Sequence, residues 1–360
     1  MTDPALTIRS LTARPVNVPF ARPLRTAAGD IPTAPLVLID LLTAEGIVGR
    51  AYIFAYTPLM LAPLCRLLEE LGALVVGRPA MPLDIAQGMR ARFRLLGRQG
   101  LLGMALSGLD MALWDAQGRA LGVPVCRLLG AAPRALPAYD SFGLVKGDDD
   151  LQAIERSVAS GFQAIKIKLG DGDLARDVDV ATAVRRLIGP NVALMVDYNQ
   201  TLDAPEAIRR VRRLTEFDLA WVEEPVPAED LRGHARVREA GLVPVQTGEN
   251  WWEPIAMYQA VEAGACDLAM PDLMKIGGFS GWVEAAGYAA MAGVPLSSHI
   301  FIEASAHALA ASPTAHYLEY LEKAGPLLRE RLVPENGRVT PRGPGLGLDW
   351  DEAAVARYRA

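Results

Sequence analysis

Two lysines in one short segment pose the first chemical question. The stretch "AIKIKLG", residues 164–170, alternates isoleucine with lysine, as a β-strand with two different faces does. Residues two positions apart share a face of a strand, so Lys166 and Lys168 point in the same direction. Solvated lysines on a half-exposed sheet would explain this pattern. The alternative is a site that collects positive charge, and the rest of the sequence decides between the two.

A series of ionisable and polar residues along the chain favours a site. Eight short apolar segments after residue 135 have the character of strands, and each ends on such a residue. These residues are Ser141, Lys168, Asp197, Glu223, Glu249, Asp272, His299 and Glu319. From Lys168 onwards they lie 20 to 29 positions apart, which is the length of one strand–helix unit. In a parallel barrel all such strand ends meet at one face, where buried charges must be paired or bound to metal.

Three consecutive segments of this series end in carboxylates, at Asp197, Glu223 and Glu249. Three hard oxygen ligands with open coordination positions suit Mg²⁺, with Mn²⁺ as a possible substitute, whereas zinc prefers histidine or cysteine. Helix-capping or surface acids are the alternative explanation. Glu224 follows Glu223 and faces the opposite way on a strand, so Glu223 is the predicted ligand.

The segments "MPDLMKIGG" and "PLSSHIF" supply a histidine and a carboxylate on neighbouring strands. Asp272 could reach across to His299 and hold its imidazole in one tautomer. Such a pair raises the basicity of the histidine, which is what a general base requires. We therefore predict that the pair is functional, although a lone histidine is more often structural.

The elements that must position these residues follow from the hydrophobic pattern. Strands and helices alternate from about residue 135, which predicts βαβ units, a parallel sheet and an eight-stranded barrel. Ahead of it, residues 34–54 read as a β-hairpin that turns at residues 44–46, and helical patterns follow it. The longest helical pattern covers about residues 103–121 and stops at Gly122-Val123-Pro124. This first part therefore reads as a separate α+β unit.

Composition excludes several classes of protein. The net charge is −6 with both signs interspersed, which gives no basic surface for nucleic acid. No uncharged apolar run of about 18 residues is present, so no membrane span is expected. The start of the chain does not resemble a signal peptide. The three cysteines, Cys65, Cys126 and Cys266, have no metal-ligand spacing, and a reducing cytoplasmic location fits best.

Taken together, the motifs resemble the enolase superfamily and, within it, the mandelate racemase subgroup. The matching segments, in chain order, are "GLDMALWDAQGRALGVPVCRLLG", "AIKIKLG", "MVDYNQ", "WVEEP", "QTGENW", "MPDLMKIGG", "SSHIF" and "PTAHYLE". The resemblance implies an α/β fold, a modified (β/α)7β TIM-type barrel with an N-terminal α+β capping domain. We expect the capping domain at residues 1–130, with lid loops near 20–31 and 54–58, and the barrel at 131–325. Residues 326–360 are expected to return to the capping domain.

The resemblance also implies a reaction, the Mg²⁺-assisted removal of a proton α to a carboxylate. Lys168 would be the base on one face of the substrate and His299, oriented by Asp272, the base on the other. Lys166 would neutralise the substrate carboxylate, and a protonated Glu319 would donate a hydrogen bond to it. Removing this proton creates a dianionic enediolate, which needs preorganised positive charge and hydrogen bonds. A neighbouring Lys166 would also lower the pKa of Lys168, as a base near neutral pH requires.

Further residues are implied to bind the substrate. Asn199 would contact the α-hydroxyl, and Ser141 the carboxylate. Leu24, Ile31 and Tyr56 would form an apolar lid suited to an aryl group, although ordinary packing between domains is the alternative.

The expected function is racemisation of a 2-hydroxy acid, mandelate or a close aryl analogue, through two bases. An acid-sugar dehydratase on the same scaffold is the first rival, because the same bases with an acid could expel a β-hydroxyl. A catalytically silent scaffold or binding protein is the second, but a scaffold has no need of a ring of desolvated charges. A small carboxylate is the expected partner, and the family implies a homo-oligomer, an octamer.

Overall fold

A twisted antiparallel sheet begins the molecule. The structure is a computed structural model that describes residues 6–26 and 29–360. Three strands pair in the order β1-β2-β3, with bounds β1 Ile8–Thr26, β2 Gly29–Thr43 and β3 Val48–Phe54. The turn between β2 and β3 lies at residues 44–46, as the sequence predicts.

The predicted lid loop near residues 20–31 is a hairpin over its described part. Strands β1 and β2 continue past the body of the sheet, and Leu24 pairs with Ile31 and Arg25 with Asp30. The register shifts between Pro19 and Leu24, so the extension is separated from the main ladder by an irregularity. Prolines and polar residues in this stretch are compatible with an edge ladder, and the role of this hairpin as a lid remains a prediction. Residues 27 and 28 lie outside the described part of the chain.

Helices pack on one face of this sheet. Their bounds are α1 Leu61–Val75, α2 Pro82–Arg92, α3 Gly100–Leu121 and α4 Val125–Leu128. Helix α3 lies so close to β3 that a Cβ on Gly49 would meet the carbonyl oxygen of Ala112 at 2.1 Å. Gly122, at φ 67°, ends α3 in the left-handed conformation that glycine tolerates. In the described residues no helix combines the length and apolar character needed to cross a membrane.

A closed parallel barrel follows, in which β11 pairs with β4. Its strands are β4 Leu136–Leu144, β5 Ala164–Lys168, β6 Ala193–Asp197, β7 Leu219–Glu223, β8 Val245–Thr247, β9 Leu268–Ala269, β10 Leu296–Ser298 and β11 Ala315–Tyr320. Its helices are α5 Asp148–Ala159, α6 Leu174–Ile188, α7 Ala204–Leu214, α8 Leu231–Glu239, α9 Glu253–Glu262, α10 Gly278–Ala292 and α11 Ile302–Ala310. Within the described chain, eight strands alternate with seven helices. The predicted fold, a (β/α)7β barrel with an N-terminal capping domain, is confirmed.

The barrel interior is filled in layers. Lys166 pairs in register with Ser141 on one side and Met195 on the other, and Met195 pairs with Trp221. One layer closer to the carboxyl ends of the strands, Lys168, Asp197 and Glu223 pair across β5, β6 and β7. Because side chains two apart on a strand share a face, both layers point into the barrel. The side chains of the layer that contains Lys166 are mostly bulky, and those of the layer nearer the carboxyl ends of the strands are charged.

The final segment joins both parts of the molecule. Strand β12 Arg338–Val339 pairs antiparallel with the start of β4, and α12 Glu352–Arg357 follows. The amide of Asn17 in β1 donates to the carbonyl of Tyr358 at 2.8 Å, so residues near 358 extend the first sheet. The boundaries proposed at residues 130 and 325 remain predictions.

Candidate active site

The metal-ligand candidates form one compact cluster. Asp197 and Glu223 sit side by side because β6 and β7 pair in register at these residues. Together with Glu249 they present carboxylate oxygens that all lie within 4.8 Å of one another. Asp197 and Glu223 are fully buried. Three convergent carboxylates fit the oxygen coordination that Mg²⁺ prefers.

Three of the predicted site residues lie just beyond their strands rather than within them. Strand β8 ends at Thr247, two residues before Glu249, and Gly248 adopts φ +142°, which redirects the chain. Asp272 and His299 follow β9 and β10, and an isolated parallel bridge pairs them. The regular pairing of β8, β9 and β10 stops before these three residues, so turns determine the directions of their side chains. Their convergence on the carboxyl face of the barrel is as predicted.

Neighbouring groups orient the carboxylates. Glu223 accepts hydrogen bonds from the Trp221 indole at 3.1 Å and the Gln246 amide at 3.2 Å. Asp197 accepts from the backbone of Asn199 at 2.7 Å and from its side chain at 2.9 Å. Each carboxylate therefore has a fixed direction, which is what metal ligands need.

Among the described residues, Glu224 is not one of the clustered carboxylates, in keeping with the prediction of Glu223 as the ligand. Both of its carboxylate oxygens accept from the Asn250 amide, at 3.0 and 2.9 Å. The Asn250 carbonyl in turn accepts from Lys275 at 2.6 Å. Glu224 has φ 35°, a conformation that non-glycine residues rarely adopt, so the strand end is held under strain by these contacts.

The two lysines of "AIKIKLG" are buried among these acids. Lys166 donates to Glu223 and, at 2.9 Å, to Glu319, while Lys168 donates to Asp197 at 2.5 Å. Burial and Lys166 both lower the pKa of Lys168, but Asp197 and Glu249 together outweigh them and the pKa is raised. The expected lowering by Lys166 is therefore present, but carboxylates from distant parts of the sequence reverse the net direction.

His299 and Asp272 form the predicted pair. The Nδ1 atom of His299 lies 2.6 Å from the Asp272 carboxylate, which in turn accepts from the backbone of Met274. The Nε2 atom faces Glu249 at 3.3 Å and Glu319 at 3.8 Å. Burial lowers the pKa of His299, but these carboxylates outweigh it and the pKa is raised. The arrangement gives His299 the basicity and orientation of a general base.

Glu319 lies between the cationic groups. Burial raises the pKa of its carboxyl group, but Lys166 and His299 outweigh burial and lower it. This direction is opposite to the protonated state that the resemblance implies. Its second oxygen accepts from the backbone of Ile300 at 3.0 Å, which fixes the carboxyl group in place.

The structure brings Asn199 and Ser141 next to residues of this centre. The Oδ1 atom of Asn199 is buried without a hydrogen-bond partner among the described residues, so it is free to accept from a hydroxyl group. Ser141 is buried beside Lys166 and lines a cavity of about 420 Å³. Leu24 lines the same cavity, whereas Ile31 lies opposite Leu24 in the hairpin. Tyr56, 38% exposed, contacts Lys275, whose ammonium lies 5.0 Å from the ring centre.

Several residues of the site were not predicted from the sequence. Trp221 was detectable, because it lies two residues before Glu223 on the same strand face. Gln246 and Asn250 follow no pattern that distinguishes them from surface amides. Lys323 lies in a loop four residues after Glu319, and it is buried against the cavity.

Comparison with known proteins matches nearly the whole chain. Residues 8–130 match the family described as mandelate racemase / muconate lactonizing enzyme, N-terminal domain, and residues 149–354 match enolase C-terminal domain-like proteins. An enolase from Bradyrhizobium complexed with magnesium and mandelic acid is 51% identical, with a TM-score of 0.96 over 100% of both chains. The D-galactarolactone cycloisomerase of Agrobacterium fabrum is 37% identical over 73% of this chain and 76% of its own. The L-talarate/galactarate dehydratase of Salmonella typhimurium LT2, with Mg and L-lyxarohydroxamate, is 28% identical, with a TM-score of 0.92 over 99% and 94%.

Proposed function

Because the chain belongs to the mandelate racemase / muconate lactonizing enzyme family of the enolase superfamily, we propose that it racemises a 2-hydroxy acid by Mg²⁺-dependent proton abstraction. One observation carries the proposal: two basic side chains contact the carboxylate cluster, each at a different carboxylate. Lys168 contacts Asp197, and His299 contacts Glu249. Two bases so placed can remove the α-proton from one face of a substrate and return a proton to the other.

The remaining residues stabilise the charge that proton removal creates. When bound to Asp197, Glu223 and Glu249, Mg²⁺ supplies positive charge that offsets these carboxylates and the developing charge of the substrate. Lys166 binds the substrate carboxylate, and Glu319 donates a hydrogen bond to it when protonated. The free Oδ1 atom of Asn199 accepts a hydrogen bond from the α-hydroxyl group. This hydrogen bond orients the substrate between the bases.

A 2-hydroxy acid with an aryl group, mandelate or a close analogue, is the proposed substrate. Support comes from the Bradyrhizobium relative, which is complexed with mandelic acid and 51% identical. The apolar side chains of Phe20, Leu24 and Phe142 line the cavity beside Ser141 and offer a surface for an aryl group. This supports binding of an aryl ring in the cavity beside Ser141.

Proton exchange in D₂O tests the proposal directly. The protein is incubated with Mg²⁺ and each mandelate enantiomer separately, and loss of the α-proton is followed by NMR together with optical rotation. Exchange with inversion from both enantiomers supports a two-base racemase. Absence of exchange with mandelate and with other aryl 2-hydroxy acids contradicts it.

Dehydration of an acid sugar is the second candidate. The Salmonella relative is a dehydratase, and polar side chains of Asp140, Glu322 and Arg331 line part of the cavity, which suits a polyol. Incubation with aldonates and aldarates, followed by detection of the keto-acid product, separates this reaction from racemisation. Product from a sugar acid without exchange of mandelate would favour the dehydratase.

We also propose that the protein assembles into a homo-oligomer. Leu95 is 100% exposed and Leu96 is 74% exposed, and neighbouring apolar side chains of this kind are common at contacts between subunits. Light scattering should give a mass that is a multiple of the 38.7 kDa chain.

A further inference from the structure

Lys323 is a buried lysine for which the mechanism has no use. It follows β11, and only 4% of its surface is exposed. In the described part of the chain it makes no hydrogen bond or ion pair. Its ammonium group instead contacts aromatic rings. The ammonium lies 4.7 Å from the ring centre of Phe54 and 5.6 Å from that of Phe20. Two rings hold the cation in place but do not replace a hydrogen-bonding anion.

The position of Lys323 places it in the same electrostatic environment as the active site. Burial lowers the pKa of Lys323 to about 8, and the charges that act on it are those of Glu319, Asp272, Lys168 and Glu249. Lys323 lines the 420 Å³ cavity together with Ser141, which pairs in register with Lys166. The cavity thus reaches Ser141, which is implied to contact the substrate carboxylate, and includes Lys323 in its wall.

The other cations of the cavity already have partners. Arg25 binds the carboxylate of Asp150 at 2.8 Å, and Arg331 lies 3.6 Å from Glu322. Lys323 differs from both because none of the described carboxylates lies within ion-pair distance of it. A buried charge without a partner is unfavourable unless a ligand supplies the missing hydrogen bonds.

We propose that Lys323 binds a second anionic group of the substrate, so that the preferred substrate is a 2-hydroxy acid with a carboxylate at its distal end. This inference rests on the proposed function, because it assumes that the α-carboxylate is bound at Lys166. The substrate would span from the metal cluster past Ser141 to Lys323. Two kinds of molecule share this chemistry: a mandelate with a ring carboxylate, and a sugar acid with carboxylates at both ends.

Matched substrates and variants test the role of Lys323. The Mg²⁺ enzyme is assayed for α-proton exchange or dehydration with mandelate, 4-carboxymandelate, galactonate and galactarate. We expect kcat/KM to be at least about tenfold higher for the dicarboxylate of a pair than for the monocarboxylate, since hydrogen bonds to charged groups contribute strongly. The pair that shows this preference identifies the aryl or the sugar source of the second carboxylate.

Lys323→Met removes the charge and keeps the length of the side chain, and Lys323→Gln serves if the methionine variant does not fold. Either variant should abolish the preference for the dicarboxylate. Lys146→Met is the matched control: it also removes one positive charge, but its side chain is 49% exposed and it should retain the preference. Equal kcat/KM within both pairs in the unmodified enzyme, or an unchanged preference in both Lys323 variants, would overturn the inference.

Failure of the proposed reaction can be distinguished from failure of this inference. If no substrate reacts, Mg²⁺-dependent binding of the same four compounds is measured by calorimetry. Tighter binding of a dicarboxylate that is lost in the Lys323 variants supports the second anion site while the reaction is rejected. Equal binding within each pair rejects the anion site.

Discussion

The two proposed bases differ in what orients them. His299 is oriented through Nδ1 by Asp272, and its Nε2 atom faces the site. Among the described residues, Lys168 has no hydrogen-bond partner besides Asp197, itself a metal-ligand candidate. The orientation of Lys168 therefore depends on the carboxylate cluster, whereas that of His299 is set by a carboxylate outside it.

His299→Asn should separate the two half-reactions. Asparagine can still hydrogen-bond to Asp272 but cannot accept the α-proton, so exchange from one mandelate enantiomer should fall at least about 100-fold. Exchange from the other enantiomer, through Lys168, should persist. Lys168→Arg is the complementary variant and should show the reverse selectivity. Equal loss with both enantiomers in each variant would argue against separate bases.

Glu319→Gln should lower kcat about 100-fold or more and change substrate binding little. The amide can still accept from the backbone of Ile300, but it is a weaker acid than a carboxyl group and disturbs the pairing with Lys166. Single-turnover kinetics with a separate binding measurement check this. A near-normal kcat would remove Glu319 from the role of acid.

Lys323 should make stability depend on pH in the alkaline range. Its pKa is about 8 in the folded protein and 10.5 in the unfolded chain, so the unfolded chain binds more protons between these values. The free energy of unfolding should therefore rise by about 3 kcal/mol as the pH increases from 8 to 10.5. Chemical denaturation of the unmodified protein and of Lys323→Met across this range measures the difference. The same pH dependence in both proteins would contradict this.

At the level of elements, Asp115 links α3 to two other segments. Its buried carboxylate accepts from the backbone amides of Arg50 in β3 at 2.7 Å and Leu346 at 2.6 Å, and from the Arg119 side chain at 2.5 Å. Burial raises the pKa of Asp115 to about 6, and Arg119 and the two amides oppose this. Gly345 passes so close that a Cβ there would lie 2.1 Å from the carboxylate.

Asp115→Ala should destabilise the protein by about 3 to 5 kcal/mol, because it leaves two buried amides and a guanidinium without their acceptor. Denaturant unfolding checks the value. Glu69→Ala on α1 is the control, since its side chain is 53% exposed and such surface changes stay within about 0.5 kcal/mol. A loss for Asp115→Ala as small as that of the control would contradict the linking role.

Much of the element structure was predictable because each barrel strand is a short apolar segment that ends on or near a polar or charged residue. Strands β5, β6 and β7 end at the predicted residues Lys168, Asp197 and Glu223. The early ends of β8 to β10 were not, since they depend on turns such as that at Gly248. Family membership was predictable because the residues of each motif lie close together in sequence, and the family comparison confirms it. The pairing of Lys168 with Asp197 and the isolation of Lys323 were not predictable, because both depend on contacts between distant segments.

At the level of the whole molecule, metal binding should stabilise the fold. A ligand that binds only the folded protein at 100 times its dissociation constant adds about 3 kcal/mol to the free energy of unfolding. Mg²⁺ should therefore raise the melting temperature of the unmodified protein by a few degrees and that of Glu249→Gln much less. Glu262→Gln, an exposed acid on α9, should respond like the unmodified protein. The same Mg²⁺ response in Glu249→Gln would remove Glu249 from the ligand set.

The hydrogen bond from Asn17 to Tyr358 also has a consequence for how the protein is made. The two residues are separated by 341 positions, and the backbone amide of Ala360 likewise donates to the carbonyl of Pro15. At ribosomal rates of about 5 to 20 residues per second, roughly 20 to 70 seconds pass between synthesis of the two partners. During that time the edge of β1 is available to nascent chains or chaperones. The sheet that contains β1 is thus completed only after the barrel has been synthesised.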